Sequence, residues 1–198
     1  MSENMFENTV SRRQMLRNVA LAASLGGMPA DAAQHVHNAA AEDRKATGLY
    51  KPKLFTAHEF STLASLSETI IPGARAAGAA EFIDLLAAHN DELAAIFTGG
   101  IAWIDGEMQR RHNTADYVGA KPAEQIALLD QIAYRKNDSP ELGPGIRFFE
   151  WARKMAADAY YTSKAGIAEL GYKGNGGMTE FKIPTEAIDY AMKKSGLA

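Results

Sequence analysis

Apolar positions along this chain recur three and four residues apart in four or five successive windows, and they almost never alternate. The first stripe is Phe60, Leu63, Leu66 (or Ser67) and Ile70. It opens on Thr56-Ala57-His58-Glu59, a capping box in which the Thr56 hydroxyl accepts from the Glu59 amide and the Glu59 side chain reaches back. Pro72-Gly73 stops it. A second helix over about 79–90 places Phe82, Leu85, Leu86 and His89 on one face. A third, about 91–111, carries Leu93, Ile96, Phe97, Ile101, Ile104 and Met108, with Gly99-Gly100 where a break or kink would fit. Pro122 suits the first turn of a fourth, with Ile126, Leu129 and Ile132 as its apolar positions. After the loop Asn137-Asp138-Ser139-Pro140, a fifth runs from Pro144 or Gly145 to about Tyr161 through Ile146, Phe149, Ala152, Ala156 and Tyr160. A helical turn at 164–170 and a final helix at about 185–194 complete the pattern, which predicts an all-α, compact, irregular helical bundle.

The first 53 residues read differently. Ser11-Arg12-Arg13-Gln14-Met15-Leu16-Arg17 precedes an apolar, Ala-, Leu- and Gly-rich run over 19–28, then Ala30-Asp31-Ala32. That is the layout of a twin-arginine export signal with a small-residue cleavage site, and it predicts processing after Ala32, give or take a few residues. Ser11, Arg12, Arg13 and Leu16 carry the match, while Met15 stands where Phe is usual. An ordinary secretory signal is the competing reading. A buried amphipathic helix is disfavoured by Gly26-Gly27, and a permanent anchor needs about 20 strongly apolar residues. The polar, Ala-rich stretch that follows has poor periodicity and predicts a flexible linker. The expected organisation is a cleavable signal at 1–32, a linker at 33–53 and a helical domain at 54–198.

Composition narrows the function. Of 198 residues, about 165 remain after such processing, the size of one ordinary domain, and 46% hydrophobic residues suffice for a single core. The segment 1–32 holds three basic and three acidic residues, so the net charge of −3 persists and offers no basic footprint for nucleic acid. The absence of cysteine excludes disulfides, C-x-x-C-H haem attachment, cysteine-ligated iron–sulfur clusters and thiol chemistry in this chain.

No catalytic constellation emerges from the polar residues. His35-x-His37 lies in the linker and reads as solvated; His58 and His112 read as exposed helix ends and His89 as half-buried. Gly143-Pro144-Gly145 has Phe148 where a dinucleotide loop needs Gly, and Gly174-Asn175-Gly176-Gly177 lacks the Lys-Ser/Thr of a phosphate loop. Asp105 and Glu107, two apart on a helix, read as a solvated face, as do Glu124 and Asp130. Trp103 and Trp151 read as core, with a binding hot spot as the alternative. No catalytic, cofactor-binding or metal-binding residue is assigned.

Three pieces do form a recognisable set: Phe55-Thr56-Ala57-His58-Glu59-Phe60 leading to Glu68-Thr69-Ile70-Ile71-Pro72; Glu81-Phe82-Ile83-Asp84; and Tyr160-Tyr161-Thr162-Ser163 through Gly166-Ile167 to Glu169-Leu170-Gly171-Tyr172-Lys173-Gly174-Asn175. With them, residues 55–175 resemble the gluconate 2-dehydrogenase subunit 3 family. The resemblance implies a small (gamma) subunit, without catalytic residues of its own, that binds a large flavoprotein of the glucose–methanol–choline oxidoreductase type. It further implies that this chain stabilises that partner and carries it through the twin-arginine translocation machinery. FAD would then sit in the large subunit, and haem c or iron–sulfur centres in partner chains such as a multihaem cytochrome c. The complex would stand in the periplasm on the cytoplasmic membrane. Tyr160, Tyr161, Thr162, Ser163, Gly166, Gly171, Tyr172 and Asn175 are the candidate partner interface, on their aromatic area and turn-forming glycines; the alternative is that Tyr160 and Tyr161 end a core helix and the glycines make loops. The alternative is a stand-alone periplasmic helical enzyme or ligand-binding domain. Residues 178–198 match no motif.

Overall fold

A computed structural model describes residues 15–16, 18–19, 30–172 and 183–196. Among them are eight α-helices and no strand. They are α1 (Ala30–Thr47), α2 (Ala57–Ile70), α3 (Ala79–Ala87), α4 (Asp91–His112), α5 (Pro122–Ile132), α6 (Gly143–Tyr161), α7 (Lys164–Glu169) and α8 (Thr185–Ser195). The long amphipathic α6 is the centre, touching α2, α3, α4, α5 and α7. Its inner face buries Ile146, Phe149, Ala152, Met155, Ala156 and Ala159, and α3 is buried over nearly its whole length against it. The all-α bundle predicted from periodicity is the fold observed.

Local signals act as their chemistry requires. The Thr56 hydroxyl accepts from the Glu59 amide at 3.2 Å and the Glu59 carboxylate accepts from the Thr56 amide at 2.8 Å, which closes the capping box of α2. Asn90 caps α4 through its Leu93 amide, so α3 ends at Ala87, short of the expected 90. Glu68, near the end of α2, accepts from the amides of Gly73 (2.9 Å) and Arg75 (3.0 Å) and so shapes the turn after Pro72. Those two backbone bonds hold its carboxyl below the usual carboxylate range.

In four places the structure adds to or departs from the sequence reading. First, within and just before the stretch 33–53, α1 spans Ala30–Thr47, with Ala33, Val36, Ala39 and Ala40 buried, Ala33 and Val36 completely. α1 packs on α3, and Arg44 pairs with Glu81 at 3.2 Å. Its stripe is mostly alanine, whose small side chains give little contrast to a periodicity reading yet permit close helix approach. Packed residues therefore occur upstream of Leu54 as well. Second, α4 runs unbroken through Gly99-Gly100, for a reason found in its crossing with α6. Third, Ile126 is 50% exposed while Gln125 is buried, its side-chain amide donating to the Tyr117 carbonyl at 2.7 Å. Fourth, Asp105 and Glu107 are not a solvated face. Glu107 is buried and bridges Arg110 and Arg111, each at 2.6 Å, while Asp105 accepts from the Tyr117 amide at 2.9 Å and contacts His58. At the other extreme, every residue of α8 is exposed.

The path from α1 to α2 is held by one side chain. Asp84 is fully buried, and its carboxyl oxygens accept from the Tyr50 hydroxyl (2.7 Å) and the amides of Lys53 (2.7 Å), Leu54 (3.1 Å) and Phe55 (3.1 Å). Burial, then the bond to Asp84, pushes the Tyr50 hydroxyl well above its ordinary pKa of 10.0, so it stays a donor. We expect Asp84→Ala to cost about 3–5 kcal/mol, because each stranded buried donor costs about 1–3 kcal/mol. Asp84→Asn, keeping one acceptor oxygen, should cost less. Urea unfolding followed by circular dichroism measures both.

A second clasp is titratable. His58, exposed on the first turn of α2, places Nε2 2.7 Å from Asp105 and Nδ1 3.8 Å from Asp116. The hydrogen bond to Asp105 raises its pKa above the ordinary 6.5; burial opposes this, and the charges of Asp105, Asp116 and Glu59 add to it. Because the folded value is the higher one, the contribution is complete below pH 6.5 and is lost as pH rises through the folded pKa. Urea midpoints taken on either side of that window should fall with rising pH in the native chain and fall less steeply in His58→Gln.

Candidate partner interface

The residues expected to face a partner divide between inside and outside. α6 ends at Tyr161, and Ser163 caps α7, accepting from the Gly166 amide at 3.2 Å and donating to the Tyr160 carbonyl at 2.6 Å. A Cβ on Gly166 would lie 2.2 Å from that same carbonyl oxygen, so only glycine fits. Tyr160 is 8% exposed; its hydroxyl donates to Glu169 at 2.5 Å and its ring lies against Gly73. Thr162 is half-buried and binds α1, its carbonyl accepting from the Gln34 amide and its hydroxyl standing 3.0 Å from His37 Nε2. His37 is thus no solvated linker residue. Its ring meets Phe82 at 4.9 Å, and burial lowers its pKa.

Tyr160, Ser163 and Gly166 consequently stitch α6 to α7 and to the turn after Pro72. Tyr161 (40% exposed) and Tyr172 (62%) face outward, with Leu170 beside them in sequence and Gly171 at φ +62° supplying the turn. Asn175, with Ser11, Arg12 and Arg13, lies outside the described residues; Leu16 is described and is buried.

A second surface comes from the crossing of α4 and α6. A Cβ on Gly100 of α4 would sit 2.0 Å from the Phe148 ring of α6, and one on Gly145 of α6 would sit 2.3 Å from the Trp103 ring of α4. Each glycine is a socket for the other helix's aromatic ring, which explains why Gly100 belongs inside a continuous helix. On the solvent side the crossing leaves an open groove of about 330 Å³, lined among others by Ile96, Trp103, Pro144, Arg147 and Trp151. Both tryptophans are half-buried at this groove rather than enclosed in the core, with Lys154 Nζ 5.1 Å from the Trp151 ring. Their spacing carried the signal: Ile96, Gly99, Gly100 and Trp103 on one helix, and Pro144, Arg147, Phe148 and Trp151 on the other, each form an i, i+3, i+4, i+7 face beside the core stripe. An apolar groove of about 400 Å³ lies between α2, α5 and α6, rimmed by the exposed Ile126 and Tyr134.

No group of three or more His, Cys, Asp or Glu placed to hold a metal ion occurs among the described residues. The family model for gluconate 2-dehydrogenase subunit 3 matches residues 57–177. The chain belongs to the gluconate 2-dehydrogenase subunit 3 family. The match begins at the first residue of α2 and includes α2 to α7, leaving α1 and α8 outside it. Neither the search of curated proteins nor that of solved structures found a match. Within this family member, the matched motifs do internal work: Glu68 and Asp84 collect backbone amides, while Tyr160, Ser163 and Gly166 close the α6–α7 turn.

The glycine sockets give a test in which neighbours differ in sign. Gly100→Ala should destabilise the chain by about 1–3 kcal/mol, since overpacking against Phe148 outweighs the helix-propensity gain of about 1 kcal/mol. Gly99→Ala, whose Cβ would meet nothing within 4 Å, should stabilise by about 0.5–1 kcal/mol. Denaturant midpoints decide both.

Proposed function

We propose that this chain is the non-catalytic small subunit of a membrane-associated, FAD-dependent dehydrogenase complex of the gluconate, glucose or polyol type. It binds the large flavoprotein, supports its folding and carries it through the twin-arginine pathway to the periplasm, where a multihaem cytochrome c completes the complex. The observation that carries the reading is the match to a dehydrogenase subunit family over 57–177, on a chain in which Arg12-Arg13 precedes an apolar run. The leader suits export of a folded, cofactor-loaded partner. The exposed aromatic surfaces support the binding role. Tyr161, Tyr172 and the half-buried Trp103 and Trp151 offer rigid area with polar tips, which interfaces favour. Among the described residues no helix is long and apolar enough to cross a membrane, which is compatible with attachment through the complex.

Two measurements test this. Replacing Arg12 and Arg13 by lysine should abolish flavin-dependent dehydrogenase activity in the periplasm; undiminished activity would overturn the export role. Trp151→Ala and a Tyr161→Ala/Tyr172→Ala double variant should reduce co-purification of the flavoprotein, by about 1–4 kcal/mol of binding at a true anchor, with little change in the subunit's own melting. A subunit that oxidises a sugar or polyol without a partner would instead favour the stand-alone enzyme.

A further inference from the structure

The leader reading places a peptidase site at Ala30-Asp31-Ala32, yet these residues are the first turn of α1. A peptidase needs the scissile carbonyl free and the flanking residues drawn out of the fold, which is why nicking concentrates in exposed loops. Here the bond between Ala32 and Ala33 joins the third and fourth residues of an α-helix, where the carbonyls of residues 30–32 are taken by amides four positions on.

Helix ends fray cheaply, but this one is fastened just past the bond. Ala33 and Val36 are fully buried, Gln34 donates to the Thr162 carbonyl, and His37 stands on Phe82 with Nε2 3.0 Å from the Thr162 hydroxyl. Drawing 30–34 into an extended strand breaks the Gln34 bond and exposes Ala33. Further upstream, Leu16 and Val19 are also buried, at 5% and 6% exposure, so that part of the leader is covered rather than solvated. Hydrolysis would add water across the Ala32–Ala33 bond, leaving an Ala32 carboxylate and an Ala33 ammonium. That ammonium would stand at the positive end of the shortened helix, an unfavourable position.

We propose that the folded subunit protects the bond after Ala32, so that α1 is carried whole in the exported protein and any leader removal takes place upstream of it. The proposal rests on the leader reading and not on the flavoprotein partner.

The test uses the purified full-length subunit, a synthetic peptide of residues 1–40 and detergent-solubilised leader peptidase, with intact mass as the readout. The peptide should be cut after Ala32, and the folded chain at least tenfold more slowly at that bond, because cleavage follows the fraction of open helix. Val36→Asp, which expels α1 from the body, should restore cutting after Ala32; a Gln34→Ala/His37→Ala double variant, which removes only the polar ties, should restore it in part. Equal rates for peptide and native chain would overturn the proposal. So would a peptide left intact, since the fold would then not be what protects the bond. Either outcome is read on the subunit alone and leaves the partner-binding tests untouched.

Discussion

Three backbone amides and one tyrosine hydroxyl end on the buried carboxyl group of Asp84. A carboxyl group at that depth is tolerable only with such a donor set, and the donors have no other partner of comparable quality. The consequence reaches well beyond α3. Residues 50–55 have to pass over its surface in one path, which sets where α1 arrives and where the capping box of α2 begins. Glu68 does the same on a smaller scale for the turn after Pro72, against which the Tyr160 ring is laid. Carboxylates that gather amides thus set the connections in this bundle, while apolar stripes set the helices.

The crossing of α4 and α6 imposes a different constraint. Helices can approach that closely only where a side chain is missing, and here each lacks one opposite the other's aromatic ring. Two large rings are then spent on the crossing, and the positions one turn to the side are left facing solvent. The tryptophan groove is a by-product of that arrangement: mostly apolar, with Arg147 in its lining and Lys154 Nζ over the Trp151 ring. A surface of this kind is unfavourable in isolation and favourable under a partner, which fits a subunit better than an independent protein.

The family motifs take on a definite physical meaning in this frame. Glu68, Asp84, Tyr160, Ser163 and Gly166 each satisfy or shape backbone at a junction between helices, so they specify a scaffold. The side chains beside them that point outward are Tyr161 and Tyr172, and the groove between α4 and α6 leaves Trp103 and Trp151 half-buried. α1, outside the matched segment, is tied to this scaffold through Thr162 and Phe82, which makes it part of the folded body.

Helices with large apolar residues were legible in the sequence, because Leu, Ile and Phe at 3.6-residue spacing can bury together in only one local conformation. Thr56 and Glu59, Pro122 and the Pro72-Gly73 stop also announce their roles within a few residues. α1 was not legible. Its Ala33, Val36, Ala39 and Ala40 form a face only when another helix comes close enough to touch alanine, and that partner, α3, lies about 40 residues away in the chain. Nor could spacing say whether Trp103 and Trp151 were enclosed, or that Ile126 was exposed and Gln125 buried. Periodicity states that a residue lies on a face; what stands opposite that face is decided by helices remote in sequence. Local chemistry therefore determined which segments are helical and where they stop, and tertiary packing alone decided which carboxylates are buried, which glycines are sockets and which aromatic rings stay exposed.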